Sequence, residues 1–200
     1  MNQRVKISKH QAVYDGYVTV EEYYFQHHLF SGGMSRKIRR ELVERGEAVA
    51  VLAIDPKREK LVMIEQFRIG SLAAGADPWS LEIVAGIIEP GESAETVVKR
   101  EMEEETGCQI EQLLFITDYL STPGVSSERI HLYCGITDSR QANGIHGVVS
   151  EGEDIRVFCV DFDAVTLTLN NPRACNGLTI IALQWLLLNR DKLSELFTFS

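Results

Sequence analysis

Residues 93–107 constrain this chain most, because they read as one capped helix whose charges lie on the wrong side. Ser93 is placed to cap the first turn and Gly107 to end the last. On a wheel at about 100° per residue from Ala94, Val97, Val98 and Met102 define an apolar stripe centred roughly on Ala94. Glu101 and Glu105 fall inside that stripe, each within about 20° of its centre, and Glu104 lies at its edge. Glu103 alone points to the opposite side of the wheel. A charge run usually marks a solvated face, and such a face would place its charges opposite the apolar residues. Carboxylates turned inward stay ionised only beside a cation. An arginine network around Arg100 is one solution, but one guanidinium cannot neutralise three glutamates. A hard divalent metal held by oxygen ligands is the preferred solution, Mg²⁺ with Mn²⁺ as a substitute.

The surrounding pattern predicts an α+β fold of layered type. AVAVLAID (48–55), LVMIEQFRIG (61–70), LEIVAGII (81–88), QLLFITDYL (112–120), RIHLYCGIT (129–137) and IRVFCVDF (155–162) read as strands. Residues 71–80 and 139–154 read as loops, and the second is long enough to suggest a functional role. An apolar helix at 177–190 closes the sequence. Residues 1–46, with YVTVEEYYF and a turn at Ser31–Gly33, are expected to form a separate N-terminal β segment, leaving 47–200 as the main domain.

Charge and cysteine usage narrow the function classes. A net charge of −9 disfavours nucleic acid and anionic membrane as partners. The four cysteines are far apart and form no paired zinc or redox motif, consistent with a reducing, cytoplasmic setting. The start of the sequence has no apolar signal region, and the longest apolar stretch, 178–188, is too short to cross a bilayer.

The segment from Gly86 to Cys108, GIIEPGESAETVVKREMEEETGC, resembles the Nudix box, G-x5-E-x7-R-E-U-x-E-E-x-G-U, at every fixed position. The resemblance implies a Nudix αβα sandwich with a mixed sheet that hydrolyses a nucleoside diphosphate linked to another group, using Mg²⁺. By that resemblance Glu101, Glu104 and Glu105 are metal ligands, joined by the Ala85 carbonyl. Glu92 and Arg100 orient the helix and its carboxylates. Pro123 follows Gly107 at the interval found in the ADP-ribose pyrophosphatase group. STPGVSSER, GIHGVVSEGEDIRV, RRELVERG, EQFRIG and PWSLEIVAG are similar to stretches of the same group. Thr122 and Val125 depart from the pattern of that group's proline stretch.

The similarity to that group implies hydrolysis of ADP-ribose to AMP and ribose 5-phosphate by a homodimer. Glu151 becomes the general base on a mobile loop, acting with Glu105 and Arg100, and Glu153 reaches a metal. Arg68 contacts the phosphates, Glu128 helps position the terminal ribose or the loop, and Tyr17 stacks on adenine near Arg40 and Glu41. Without the resemblance, Glu151 reads as solvated loop charge, Glu128 as a partner of a nearby base and Tyr17 as a strand core residue. His131 and His146 have no zinc spacing and read as ordinary strand and loop residues. GDP-mannose is the alternative substrate, and a binding sensor without turnover is a further class.

Overall fold

In the computed structural model, residues 4–197 are described, and their contacts divide the chain into two compact units. One unit comprises the chain up to Gly46 together with Leu120–Arg129. It is built on an antiparallel sheet of β1 (Val5–Asp15), β2 (Thr19–His27) and β3 (Ile38–Glu44), in that order. The alternating sequence from Thr19 supplies the central strand, whose Glu22 is buried against Arg39. Residues 120–129 attach to this sheet through β3: the Val43 amide donates to the Val125 carbonyl at 2.8 Å, and Ser126 Oγ donates to the Val43 carbonyl at 2.9 Å.

The second unit holds β4 (Glu47–Asp55), β5 (Lys60–Phe67), α1 (Ile69–Ala73), β6 (Trp79–Glu82), β7 (Val84–Ile88), α2 (Ala94–Thr106) and, apart from their end residues Leu120 and Arg129, β8 (Ile110–Leu120) and β9 (Arg129–Thr137). After these come β10 (Gly144–His146), β11 (Ile155–Asp161), α3 (Val165–Leu169), α4 (Gly177–Asn189) and α5 (Leu193–Leu196). The main path of the sheet runs β10-β11-β5-β4-β9-β8, with β6 paired to β5 and β7 paired to β4. Strand alternation splits the apolar β4 run between two cores. Ala50, Leu52 and Ile54 pack with Ala182, Leu183 and Leu186 of α4. Val49, Val51 and Ala53 pack with Val97, Val98 and Met102 of α2. A helix on each face of a mixed sheet is the αβα arrangement, and each fully buried Leu, Ile or Met contributes about 1.5–3 kcal/mol to it.

The structure corrects several boundaries. LEIVAGII is two strands, because the chain changes partner around Ile83, from β5 to β4. The expected strand 61–70 ends at Phe67, and α1 occupies part of the expected loop. β1 is an additional strand with every residue exposed, so burial gave its sequence no apolar pattern to display. Within the long 139–154 segment, β10 and two short 3-10 turns replace a structureless loop.

Candidate active site

The glutamate helix α2 begins where its sequence signals place it. Ser93 Oγ accepts from the Thr96 amide at 3.2 Å, and Gly107 ends the helix with φ of 68°, a conformation that favours glycine. Val97, Val98, Met102, Glu105 and Thr106 are its buried residues. Glu105 is only 3% exposed, and its Oε2 has no hydrogen-bond partner. Burial pushes the Glu105 carboxyl well above the usual range; the charges of Glu101 and Glu153 add to the rise, and Arg68 and the Ala85 backbone oppose it.

Glu101 is half-buried and is also pushed up, to about 7, by burial. Arg100 Nη1 lies 2.9 Å from Glu101 Oε1 and lowers the value, while Glu104 and Glu153 raise it. Gly86 makes room for this carboxylate, since a Cβ there would stand 2.0 Å from Glu101 Oε1. The same Arg100 nitrogen donates to Glu104 Oε2 at 2.9 Å, and Arg100 Nε lies 3.7 Å from Glu92 Oε1. Glu92 also accepts from the Glu89 amide at 3.1 Å, which ties the turn before α2 to the helix. Glu103 is exposed, as the wheel requires.

Arg68, just past β5, is paired with the buried Glu82 of β6. The charges of Glu105 and Glu153 also act on it, which places all three groups in one electrostatic neighbourhood. Glu153 lies on the 139–154 segment and accepts from the Val148 amide at 2.9 Å. Glu151 ends a short 3-10 turn nearby and is solvent-exposed. Two contacts hold the segment against α2. The Gly147 amide donates to the Glu104 carbonyl at 3.3 Å, and the His146 ring lies so close over Gly107 that a Cβ there would be 3.0 Å from Cε1.

In the N-terminal unit, Tyr17 is in the turn between β1 and β2 and is 85% exposed, so it is not a core residue. The Arg45 guanidinium lies 5.9 Å from its ring centroid. Arg45 Nη1 is also 3.7 Å from Glu128 Oε1. Arg40 and Glu41 are neighbours on β3; Arg40 donates to the Arg39 carbonyl at 2.8 Å, and Glu41 pairs with Arg39 at 2.9 Å. Sequence reasoning passed over Glu82 and Arg45. Glu82 had one signal, a lone carboxylate inside an apolar strand run.

The donor set fits a hard divalent cation. Glu101, Glu104, Glu105 and Glu153 offer oxygen alone, and the orphaned Glu105 Oε2 is a buried acceptor that a cation would satisfy. Among the described residues no three acidic, His or Cys side chains already form a closed ligand group, and Arg100 holds both Glu101 and Glu104.

Comparison with known proteins places these features in a family context. The NUDIX domain family matches residues 44–175. An ADP-ribose pyrophosphatase of Haemophilus influenzae is 41% identical over 196 residues, spanning 96% of this chain and 90% of its own. A GDP-mannose pyrophosphatase of Escherichia coli is 28% identical over 188 residues, spanning 93% and 96%. The crystal structure of an ADP compounds hydrolase superposes with a TM-score of 0.71 at 21% identity, covering 94% of this chain and 96% of its own.

Proposed function

The chain belongs to the NUDIX domain family, and from that premise we propose that it is a hydrolase that cleaves the diphosphate of ADP-ribose to AMP and ribose 5-phosphate. One observation carries the chemistry: the buried carboxylate of Glu105, with an unpartnered oxygen, sits beside Glu101 in box register. The choice of substrate is supported by the 41% identical ADP-ribose pyrophosphatase.

Glu101, Glu104, Glu105, Glu153 and the Ala85 carbonyl would hold Mg²⁺, with Mn²⁺ as a substitute. A divalent cation there neutralises diphosphate oxygens and lowers the pKa of a bound water. The residues of the chain supply the rest. Arg100 orients Glu101 and Glu104, and Gly86 leaves space for Glu101. Arg68 contacts the phosphates, bringing positive charge to an anion within a protein of net charge −9. Glu151 takes the proton of the attacking water, its exposed position on a glycine-bounded turn leaving it free to swing. Tyr17, Arg40, Glu41 and Glu128 contact the adenosine and terminal ribose in a homodimer. The enzyme acts in the cytoplasm on a small nucleotide sugar, with neither nucleic acid nor membrane as partner.

A panel of nucleoside diphosphate sugars with Mg²⁺ and phosphate-product detection tests this reading. Preference for ADP-ribose is the expected result. Preference for GDP-mannose moves the chain to the chemistry of its 28% identical relative. Tight ADP-ribose binding without metal-dependent turnover makes it a sensor.

A further inference from the structure

The arginine assigned above to the phosphates does not stand alone. Arg68 Nε donates to Glu82 Oε1 and Oε2 at 3.1 and 3.2 Å, and Nη2 donates to Oε2 at 2.8 Å. The pair thus engages the Nε/Nη2 edge of the guanidinium and leaves Nη1 outside it. Glu82 is only 2% exposed, and Gln66 Nε2 adds a long contact to its Oε2 at 3.4 Å. Register places the group in the sheet. Ile64 lies opposite Glu82, and alternation along the extended backbone puts Gln66 and Arg68 on the same face as Ile64. Ile64 packs in the core shared with Val98 and Met102, so this is the face that carries α2.

A carboxylate this deeply buried is costly once it loses its cation. Arg68 therefore cannot swing freely towards an anion; leaving Glu82 would strand a charge inside the protein. We propose that Glu82 is a positioning residue: it locks Arg68 by one edge, so that the Nη1 edge is presented to the diphosphate of the substrate. The proposal rests on the phosphate role given to Arg68 above. It makes the orientation of Arg68 a property of β6, set before substrate arrives.

The test is a double-mutant cycle with Arg68→Ala and Glu82→Gln, measuring kcat and KM for ADP-ribose, Mg²⁺ affinity and melting temperature. Glu82→Gln keeps the shape of the side chain and removes its charge. It should raise KM about 10- to 100-fold, the usual cost of losing such a supporting partner, with a smaller change in kcat. Mg²⁺ affinity should stay within about twofold of wild type, because Glu82 is not among the proposed ligands. On the Arg68→Ala background the same change should add less than about twofold to KM and should raise the melting temperature, since it removes a stranded charge. If Arg68→Ala leaves KM unchanged, the phosphate role itself fails. If Arg68→Ala raises KM but Glu82→Gln does not, or if the two effects multiply, positioning by Glu82 is overturned while the proposed activity stands. If Glu82→Gln alone does not fold, the melting comparison of Arg68→Ala with the double variant decides: a higher value for the double variant supports the pair, and a lower one overturns it.

Discussion

At the scale of the residue, the inward carboxylates make metal-free stability depend on pH in an unusual direction. Glu101 in the folded protein titrates at about 7, above its usual carboxylate range, mainly through burial, and Glu105 is raised by the same cause. An unfolded chain releases these protons near pH 4.3, so between about 4.3 and 7 the folded state holds protons that the unfolded state has lost. Stability contributed by the protonated forms is fully present below that window and is lost as pH rises through it. Chelator-treated protein should accordingly melt several degrees lower at pH 8 than at pH 5, a loss on the order of 2 kcal/mol from Glu101 alone. Mg²⁺ should reverse the trend, because deprotonated carboxylates bind it better. Glu105→Gln should stabilise the metal-free protein, flatten its pH profile and nearly abolish turnover. A melting temperature independent of pH with chelator present would count against the buried acidic pair. The helical period alone was enough to separate exposed Glu103 from buried Glu105, since both are set by one geometry within α2. Glu82 was not legible in the same way. Its meaning depends on Arg68, 14 residues away and brought alongside only by strand pairing.

At the scale of the element, the docking of the 139–154 segment on α2 is where catalysis can be tuned without touching a proposed ligand. His146 Nε2 lies 2.8 Å from the Asn143 carbonyl, and its ring covers Gly107, while Gly147 bonds to the carbonyl of Glu104. Glu151 follows on the same segment. His146→Ala should leave Mg²⁺ affinity intact, lower kcat about tenfold and increase amide exchange across 147–153. Unchanged exchange in that stretch would remove His146 from any role in holding the loop. Gly107→Ala should cost about 1–2 kcal/mol from its left-handed backbone and also press on the His146 ring. Glu151→Gln should lower kcat with little loss of metal affinity, whereas equal loss of both would remove the base assignment. Strand identity was readable for β4 and β9 because their apolar runs are buried on both faces of the sheet or nearly so, and for β11 because buried Ile155 and Val157 flank the exposed Arg156. The break at Ile83 left no such trace: residues 81–88 read as one continuous strand run, and only the change of pairing partner separates β6 from β7.

At the scale of the whole molecule, the N-terminal unit carries the features that its own chain leaves unused. The boundary after Gly46 was visible as a change from alternating strands to apolar runs, but the membership of residues 120–129 was not, because it depends on the distant pairing of Val43 with Ser126. β1 is exposed along all 11 residues, with Val5, Ile7 and Val13 each at least half exposed. An exposed edge strand bearing apolar side chains is a liability that proteins usually cover. A second copy of the chain is the occupant we propose, which would place the Tyr17 turn at or near an intersubunit boundary and give its exposed ring a substrate to stack on. Sedimentation at micromolar concentration should return twice the chain mass. Replacing Ile7 and Val13 together by Glu should shift the protein towards monomer and raise KM for ADP-ribose far more than it lowers Mg²⁺ affinity, because the proposed ligands on α2 belong to the other unit. Tyr17→Ala should reproduce the rise in KM, by about one stacking interaction or roughly 1 kcal/mol, without changing the mass. A wild-type monomer with full activity would refute the dimer and leave Tyr17 to act, if at all, within its own chain.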